Sequence, residues 1–219
     1  MIKALFLDYT GTVIQQRGDD YTELVSRVQR NSDLNSPEEV VKWWHENTEA
    51  MKKECTPENF LTLHEIAQKV FEKAEKEIHL RDDGVQLVTL LQNYLMYAPV
   101  FDDVRELFDI GSLPVYIVTD HSEDCVRVCT RRHNLHPYGI ISGETLKSYM
   151  PAKDVYEYAT KTSGFEPQEI LFVSQDPQAL KGAENAGLMT ALIDRKSEHR
   201  DADIRRYRSL VEILAHLDK

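Results

Sequence analysis

Cysteine is scarce in this sequence of 219 residues, with Cys55, Cys125 and Cys129 as its three members. An odd and sparse set of this kind excludes a disulfide framework. Cys125 and Cys129 stand four residues apart, on one face of a predicted helix. Metal binding there would need further ligands nearby, so packing in the core is the simpler interpretation.

Positive charge is in deficit, because 26 lysines and arginines face 37 aspartates and glutamates, for a net charge of −11. This balance argues against binding nucleic acid or an anionic membrane through bulk electrostatics, although it leaves room for a local positive pocket that binds a small anion. No apolar run approaches the length of a membrane span, and the apolar stretch at the N-terminus is too short for a signal peptide. We therefore expect a cytoplasmic protein with no nucleic-acid or membrane partner.

Hydrophobic residues make up 42% of the sequence and charged residues 29%, which is typical of a globular protein. The length suffices for one large domain, or for a core with a smaller insertion. Apolar runs without alternation, typical of strands buried on both faces, alternate with helical patterns, which predicts a parallel sheet with right-handed crossovers. After a first strand that leads into Asp8, the predicted strands are 115–119, 139–142, 170–173 and 188–193, and the predicted helices are 102–108, 121–133, 151–163, 177–186 and 204–217.

The stretch between the first and second strands is predicted to be helical throughout. Ser36-Pro37-Glu38-Glu39 has the features of a helix start, with serine as the N-cap and proline at the first helical position, and Thr56-Pro57-Glu58 repeats them. We expect an α/β fold in which a Rossmann-like parallel sheet core, residues 1–15 and 98–219, is interrupted by an all-helical cap of about four helices, residues 16–97. An insertion at this point can act as a lid that excludes water and chooses the substrate.

The first strand runs through Leu5-Phe6-Leu7 directly into Asp8, and Gly11 follows in the turn. Glycine there lets the chain turn sharply and lets backbone N–H groups point at a ligand. A carboxylate at the carboxyl end of a parallel strand lies where open α/β sheets bind ligands. Asp8 is therefore the first candidate for chemistry, and an aspartate that only forms the turn is the alternative.

Asp8-Tyr9-Thr10-Gly11-Thr12 resembles the nucleophile motif of the haloacid dehalogenase-like (HAD) superfamily, written DxDGT or DxTGT. The resemblance covers essentially the whole chain and implies the same core, with an all-helical cap after the first motif. It also implies that Asp8 attacks phosphorus, or carbon in the dehalogenases, and becomes a covalent intermediate. Thr10 stands where a second aspartate usually serves as general acid and base. The superfamily tolerates threonine there, notably in ion-pumping ATPases with a long-lived acyl phosphate, so we infer slow turnover or an easy leaving group.

The second motif of the superfamily is a serine or threonine that ends the second strand and binds the transferred phosphoryl group. Thr119 matches it, and Asp120 follows where asparagine is common. A threonine that only caps the next helix is the alternative. The resemblance implies substrate contacts from Gly11, Thr12 and Asp120.

The third motif is a lysine that steadies the negative charge, but alignment on Pro151 puts Met150 at its position. Lys153 would then be the catalytic lysine and Lys147 a substrate-binding one. The alternative is that both are solvated lysines on a helix face, because lysine is rarely buried.

The fourth motif normally supplies acidic ligands for Mg²⁺, and alignment puts Gln175 and Ala179 at these two positions. Asp176 lies one place along. The metal set that the resemblance implies is Asp8, the backbone carbonyl of Thr10, Asp176 and, as a weaker ligand, Gln175, which suits the preference of Mg²⁺ for oxygen.

Three functions follow as hypotheses. The first is a HAD-like phosphatase or phosphotransferase that uses Asp8, Thr10, Thr119 and Lys153 on a small phosphate ester, with a weakened Mg²⁺ site. The second is a catalytically degenerate member that binds a ligand or a protein partner. The third is a metal-independent 2-haloacid dehalogenase, which residues 172–174 resemble, although that branch has tyrosine in place of Thr10 and keeps the lysine. Either a monomer or a homodimer is compatible with the sequence.

Overall fold

The computed structural model of the chain describes residues 1–197 and 205–217. The chain divides into two compact units, one of residues 1–15 with 100–219 and one of residues 16–99. The first unit contains one sheet of six parallel strands in the order β3-β2-β1-β4-β5-β6. The strands are β1 (Ala4–Leu7), β2 (Val115–Thr119), β3 (Gly139–Ser142), β4 (Ile170–Ser174), β5 (Met189–Ile193) and β6 (Arg206–Tyr207). The predicted Rossmann-like α/β fold is thereby confirmed.

The second unit is helical. Its helices are α1 (Asp19–Arg30), α2 (Pro37–Glu54), α3 (Leu63–Glu77) and α4 (Gly84–Tyr97). Their apolar faces meet in one core that includes Leu24, Val40, Phe71 and Leu87. Burial of these faces is what stabilises such a bundle, because isolated helices of this length are marginal in water.

The caps of α2 and α3 test the two predicted helix starts in this unit. α2 begins at Pro37 as predicted, and the Ser36 side chain accepts a hydrogen bond from the backbone N–H of Glu39. The start predicted at Thr56-Pro57-Glu58 is wrong, because Thr62 caps α3 instead, in a reciprocal arrangement with Glu65. Thr56 binds the Asn59 side chain in a turn through both its N–H and its hydroxyl, at 2.6 and 2.8 Å. A threonine before a polar turn and a threonine before a helix have the same local sequence signal.

Helices flank the sheet of the first unit. They are α5 (Asp102–Ile110), α6 (Glu123–Arg132), α7 (Gly143–Leu146), α8 (Lys153–Ser163), α9 (Pro177–Asn185) and α10 (Leu210–Leu217). All four residues of β1 are buried, as expected for a central strand covered on both faces. On one side Phe6 and Phe172 of the sheet pack with Tyr156 and Leu180. Within the described part of the chain, no helix is long and apolar enough to span a membrane.

The C-terminal region differs from the predicted helix over 204–217. The helix α10 begins only at Leu210, and Arg206–Tyr207 pair in parallel with β5 as the edge strand β6. The pairing satisfies the backbone because the Asp194 N–H donates to the Tyr207 carbonyl at 2.8 Å. A strand of two residues is too short to leave a periodic pattern, and residue 204 itself lies outside the described residues.

Candidate active site

Polar side chains gather where the central strands end. Asp8 directly follows β1, Asp120 follows β2, and Ser174 and Asp176 stand at the end of β4. The parallel register places these strand ends side by side, with Leu7 opposite both Ile117 and Val173. This edge is where open α/β sheets bind ligands.

The Asp8 carboxylate is held by two hydrogen bonds. The Tyr9 backbone N–H donates to Oδ1 at 2.6 Å, and the Ser174 hydroxyl donates to Oδ2 at 2.7 Å. The same Ser174 oxygen accepts the Asp176 N–H at 2.9 Å. That bond leaves the hydroxyl proton of Ser174 for Asp8, so the carboxylate has a fixed orientation.

The electrostatic environment of Asp8 opposes its ionisation. Burial among protein atoms is the main cause that raises its pKa from 3.8 to about 7, although part of the side chain remains accessible to solvent. The hydrogen bonds from Ser174 and Tyr9 lower the pKa, whereas the negative charges of Asp120 and Asp176 raise it. The site therefore carries excess negative charge that a bound cation would stabilise.

The turn after β1 is packed against the turn after β4. Gly11 has a φ of 76°, and a Cβ placed on it would overlap the side-chain amide of Gln175. The left-handed backbone favours glycine at this position, and a larger residue would also displace the end of the Gln175 side chain. Thr12 is fully buried, and its hydroxyl accepts the Gln175 backbone N–H at 3.1 Å. Gly11 and Thr12, two of the residues predicted to contact the substrate, thus lie where the two turns meet.

Thr10 and Thr119 both contact His121. The Thr10 hydroxyl lies 3.1 Å from Nε2 of His121, and the Thr119 hydroxyl accepts the His121 backbone N–H at 3.1 Å. Thr119 therefore closes the turn after β2, while Ser122 caps the helix α6. Thr10, which replaces the expected second aspartate, is therefore hydrogen-bonded to the imidazole of His121.

Met150 supplies a backbone group at the position where the resemblance implies a lysine. Its N–H donates to Oδ1 of Asp120 at 2.8 Å, and its side chain is buried in the core of the sheet. Asp120 is itself 8% exposed, so this bond orients a largely buried carboxylate.

The two candidate lysines lie elsewhere. Lys153 is exposed at the start of α8, and its ammonium pairs with Glu157 at 2.6 Å. The buried face of α8 is formed by Val155, Tyr156 and Ala159, which leaves Lys153 on the opposite face. Lys147 is exposed at the end of α7. The structure brings neither lysine into the buried carboxylate cluster, in line with the solvated alternative.

Two residues of the fourth motif, Asp176 and Ala179, already make hydrogen bonds within the protein. Asp176 caps α9, since its Oδ1 accepts the Gln178 N–H at 2.9 Å, and buried Ala179 contributes a carbonyl to the Tyr156 hydroxyl at 2.7 Å. Across the residues that the structure describes, no group of three or more His, Cys, Asp or Glu side chains is arranged to hold a metal.

A smaller donor set nevertheless fits Mg²⁺, which is often held by one or two carboxylates and keeps several waters. Asp176 lies close enough to Asp8 for its charge to raise the pKa of the Asp8 carboxyl, so two carboxylates are near one another here. A divalent cation would neutralise the excess charge on this cluster.

Sequence reasoning assigned no role to His121 or Arg195, and it noted Ser174 only within the segment that resembles the dehalogenase branch. Each stands at the end of a predicted strand or within two residues of it, and Arg195 also hydrogen-bonds the turn after β1. The rule that singled out Asp8, applied to every strand end, would have selected all three.

Comparison with known proteins agrees with this fold. A family model described as haloacid dehalogenase-like hydrolase matches residues 2–187, so the chain belongs to the haloacid dehalogenase-like hydrolases. Enolase-phosphatase E1 from Aquifex aeolicus (strain VF5) is 24% identical over 97% of this chain and 99% of its own. The L-2-haloacid dehalogenase of Xanthobacter autotrophicus superposes with a TM-score of 0.79 at 17% identity, covering 100% of this chain and 99% of that one. The L-2-haloacid dehalogenase RSc1362 gives 0.81 at 17%, with the same coverage. These structural likenesses extend to the fold alone.

Proposed function

We propose that this hydrolase is a Mg²⁺-dependent phosphatase or phosphotransferase that acts on a small phosphorylated substrate through an aspartyl intermediate on Asp8. The observation that carries the proposal is the carboxylate cluster at the sheet edge. Asp8 is oriented there by Ser174 and faces the negative charges of Asp120 and Asp176. Further support comes from a relative over nearly the full length that is named a phosphatase.

Charge favours this proposal over a metal-free dehalogenase. A 2-haloacid is an anion, and a cluster of three carboxylates repels it unless a cation intervenes. The resemblance implies a lysine cation at position 150, but this chain has methionine there, and Lys153 and Lys147 are exposed. A bound divalent cation would offset the negative charge of both the carboxylates and a phosphate ester.

Asp8 performs the first step as the nucleophile. One carboxylate oxygen forms a bond to phosphorus as the bond from phosphorus to the leaving oxygen breaks, and water then attacks the phosphorus and restores the carboxylate. The hydrogen bond from Ser174 keeps Asp8 in one orientation, so little reorganisation is needed before attack. Bound Mg²⁺, held by Asp8, Asp176 and the Thr10 carbonyl, would supply positive charge for the phosphoryl oxygens.

The leaving oxygen needs a proton that Thr10 is poorly suited to supply, because a hydroxyl is a far weaker acid than a carboxylic acid. We therefore expect substrates with stable leaving groups, such as aryl phosphates or acyl phosphates, to react faster than alkyl phosphates. The helical insertion stands in the chain where the superfamily carries its cap, and its role in choosing the substrate is part of this proposal.

A catalytically degenerate ligand-binding protein is the second candidate. It is favoured by Met150 at the lysine position and by Ala179 at an acidic position of the fourth motif. It predicts no turnover with any metal, and ligand binding that survives Asp8→Asn.

The test is phosphate release from para-nitrophenyl phosphate and from a panel of small phosphate esters, with Mg²⁺ and with a chelator. The variants are Asp8→Asn, Asp176→Asn and, as a matched control, Asp124→Asn, which replaces an exposed aspartate on α6. We expect Mg²⁺-dependent release that Asp8→Asn abolishes, an increased Mg²⁺ requirement in Asp176→Asn, and no change in Asp124→Asn. Release that is absent, or that persists in Asp8→Asn, would reject the proposal. Halide release from 2-chloropropionate without metal would replace it with the dehalogenase.

A further inference from the structure

Arg195 binds the backbone of the turn that carries the nucleophile. It lies two residues beyond the end of β5, and its side chain is 16% exposed. Its guanidinium donates from Nη1 to the Gly11 carbonyl at 3.2 Å and from Nη2 to the Thr12 carbonyl at 3.1 Å. One side chain therefore holds two consecutive carbonyls from a position 184 residues away in the chain.

The guanidinium is itself fixed by a carboxylate and an aromatic ring. Asp103, on α5, accepts from Nε at 3.1 Å through Oδ2 and from Nη2 at 2.9 Å through Oδ1. The same carboxylate accepts the Leu210 N–H at the start of α10, at 2.9 Å. The Phe101 ring lies beneath the guanidinium, with its centroid 3.8 Å from the Arg195 Cζ. Only the planar fork of arginine can make these contacts together.

The contacts of Arg195 fix the backbone conformation of the turn after β1. In a trans peptide the carbonyl and the N–H of one plane point in opposite directions, so holding the Gly11 and Thr12 carbonyls fixes two consecutive peptide planes. The Val13 N–H accordingly donates to the Tyr9 carbonyl at 2.8 Å, which closes the turn just after Asp8. The side chain of Thr12, set by the same planes, binds the turn after β4.

We propose that Arg195 is a positioning residue, whose guanidinium holds the turn after β1 in the one conformation that presents Asp8 and the neighbouring backbone groups to the substrate. The catalytic part of this inference rests on the proposed function, whereas the effect on the turn does not. Arg195 touches no reacting atom and acts through the peptide groups of Gly11 and Thr12.

A purely structural role makes a different prediction. A buried arginine–aspartate pair also contributes to folding, and its loss would reduce the fraction of folded enzyme. The folded fraction would then have the wild-type turnover number per molecule. A positioning role instead lowers kcat per folded molecule with KM nearly unchanged, because the loss is confined to the transition state.

The experiment uses the full chain with Arg195→Gln, Arg195→Lys and the matched control Arg208→Gln, which replaces an exposed arginine beyond β6. Steady-state kinetics on para-nitrophenyl phosphate are measured where each variant is fully folded. We expect kcat to fall about 100-fold in Arg195→Gln, the effect of a displacement of about 1 Å. In Arg195→Lys, which keeps the charge but loses the fork, we expect a fall of about 10-fold.

Amide hydrogen exchange over residues 9–15 gives a readout that needs no turnover. The N–H groups of Gly11, Val13 and Ile14 are hydrogen-bonded within the turn, so a loosened turn exchanges them faster. We expect these amides to exchange faster than in wild type in both Arg195 variants, and at the wild-type rate in Arg208→Gln. A folded Arg195→Gln with wild-type kcat, or with unchanged exchange in this segment, would overturn the inference. If the wild type releases no phosphate, the proposed function fails, and the exchange data alone decide whether Arg195 holds the turn.

Discussion

Replacing Asp8, the proposed nucleophile, should make the protein more stable at neutral pH. Asp8→Asn removes a charge that is poorly tolerated at its site while keeping nearly the same shape. The Asn oxygen can accept from the Tyr9 N–H, and its amide can donate to the Ser174 oxygen, but the buried Ser174 hydroxyl proton then loses its acceptor, which offsets part of the gain in stability. The increase in the free energy of unfolding then reflects the electrostatic cost of ionising Asp8 in the folded protein.

The magnitude follows from the pKa of Asp8. Its folded value of about 7 exceeds the ordinary value of 3.8 by about 3 pH units, which corresponds to about 4 kcal/mol at 1.36 kcal/mol per unit. Because the side chain is partly accessible to solvent, we expect about 1–3 kcal/mol in practice. A folded state that holds its proton more tightly than the unfolded state loses stability as pH rises from about 4 to about 7. Asn does not titrate, so the difference between the two proteins is small near pH 4 and reaches its full value above pH 7.

Urea unfolding of wild type and Asp8→Asn between pH 4 and pH 8, without Mg²⁺, measures this difference. Asp109→Asn, an exposed aspartate on α5, is the control and should change the free energy of unfolding by no more than about 0.5 kcal/mol. Added Mg²⁺ should narrow the gap at pH 8, because binding stabilises only the protein that keeps the carboxylate. Parallel stability curves for the two proteins, or a less stable Asp8→Asn at pH 8, would refute the electrostatic account of the site.

Three further variants test single features of the site. Thr10→Asp should raise the rate on alkyl phosphates relative to aryl phosphates by about 100-fold, since it adds a general acid, and Thr10→Asn, which adds none, should not. Gly11→Ala and Gly164→Ala should each lower the free energy of unfolding by about 1–3 kcal/mol, because the two glycines share a φ of 76° and the end of the Gln175 side chain can move out of the Cβ space of Gly11. Lys153→Ala should leave phosphate release unchanged and stability within about 0.5 kcal/mol, since it loses one exposed ion pair, and a large loss of activity would return Lys153 to the site.

Local pattern was sufficient for the five strands β1 to β5 and for the position of Asp8 directly after β1. A central parallel strand is apolar at every position, so Ala4–Leu7 and the carboxylate after it can be recognised without any contact information. The contacts of the site depend on distant pairs instead. His121 meets Thr10 across 111 residues, and nothing in the sequence around either residue specifies the other.

The dependence on three-dimensional contacts also explains why the sequence did not reveal that Lys153 faces solvent. Lys153 follows the proline of the third motif closely in sequence, which made it a candidate for the missing charge. Lys153 instead faces solvent, because Val155 and Tyr156 occupy the buried face of α8. A sequence shows which residues are near one another along the chain, whereas the face on which each one lies depends on the exact residue at which the helix begins.

Restoring the lysine at position 150 tests whether the missing charge limits the enzyme. In Met150→Lys the backbone N–H still donates to Asp120, and the new ammonium starts from a residue that contacts the carboxylate cluster. A cation within about 4–6 Å lowers a carboxylate pKa by about 1–3 units, so Asp8 would ionise at lower pH. We expect the acidic limb of the pH–rate profile to shift down by at least about 1 unit, with a higher kcat at pH 6. Met150→Gln, which adds polarity without charge, is the control. A shift of equal size in Met150→Gln, or none in a folded Met150→Lys, would show that the site does not depend on charge at this position.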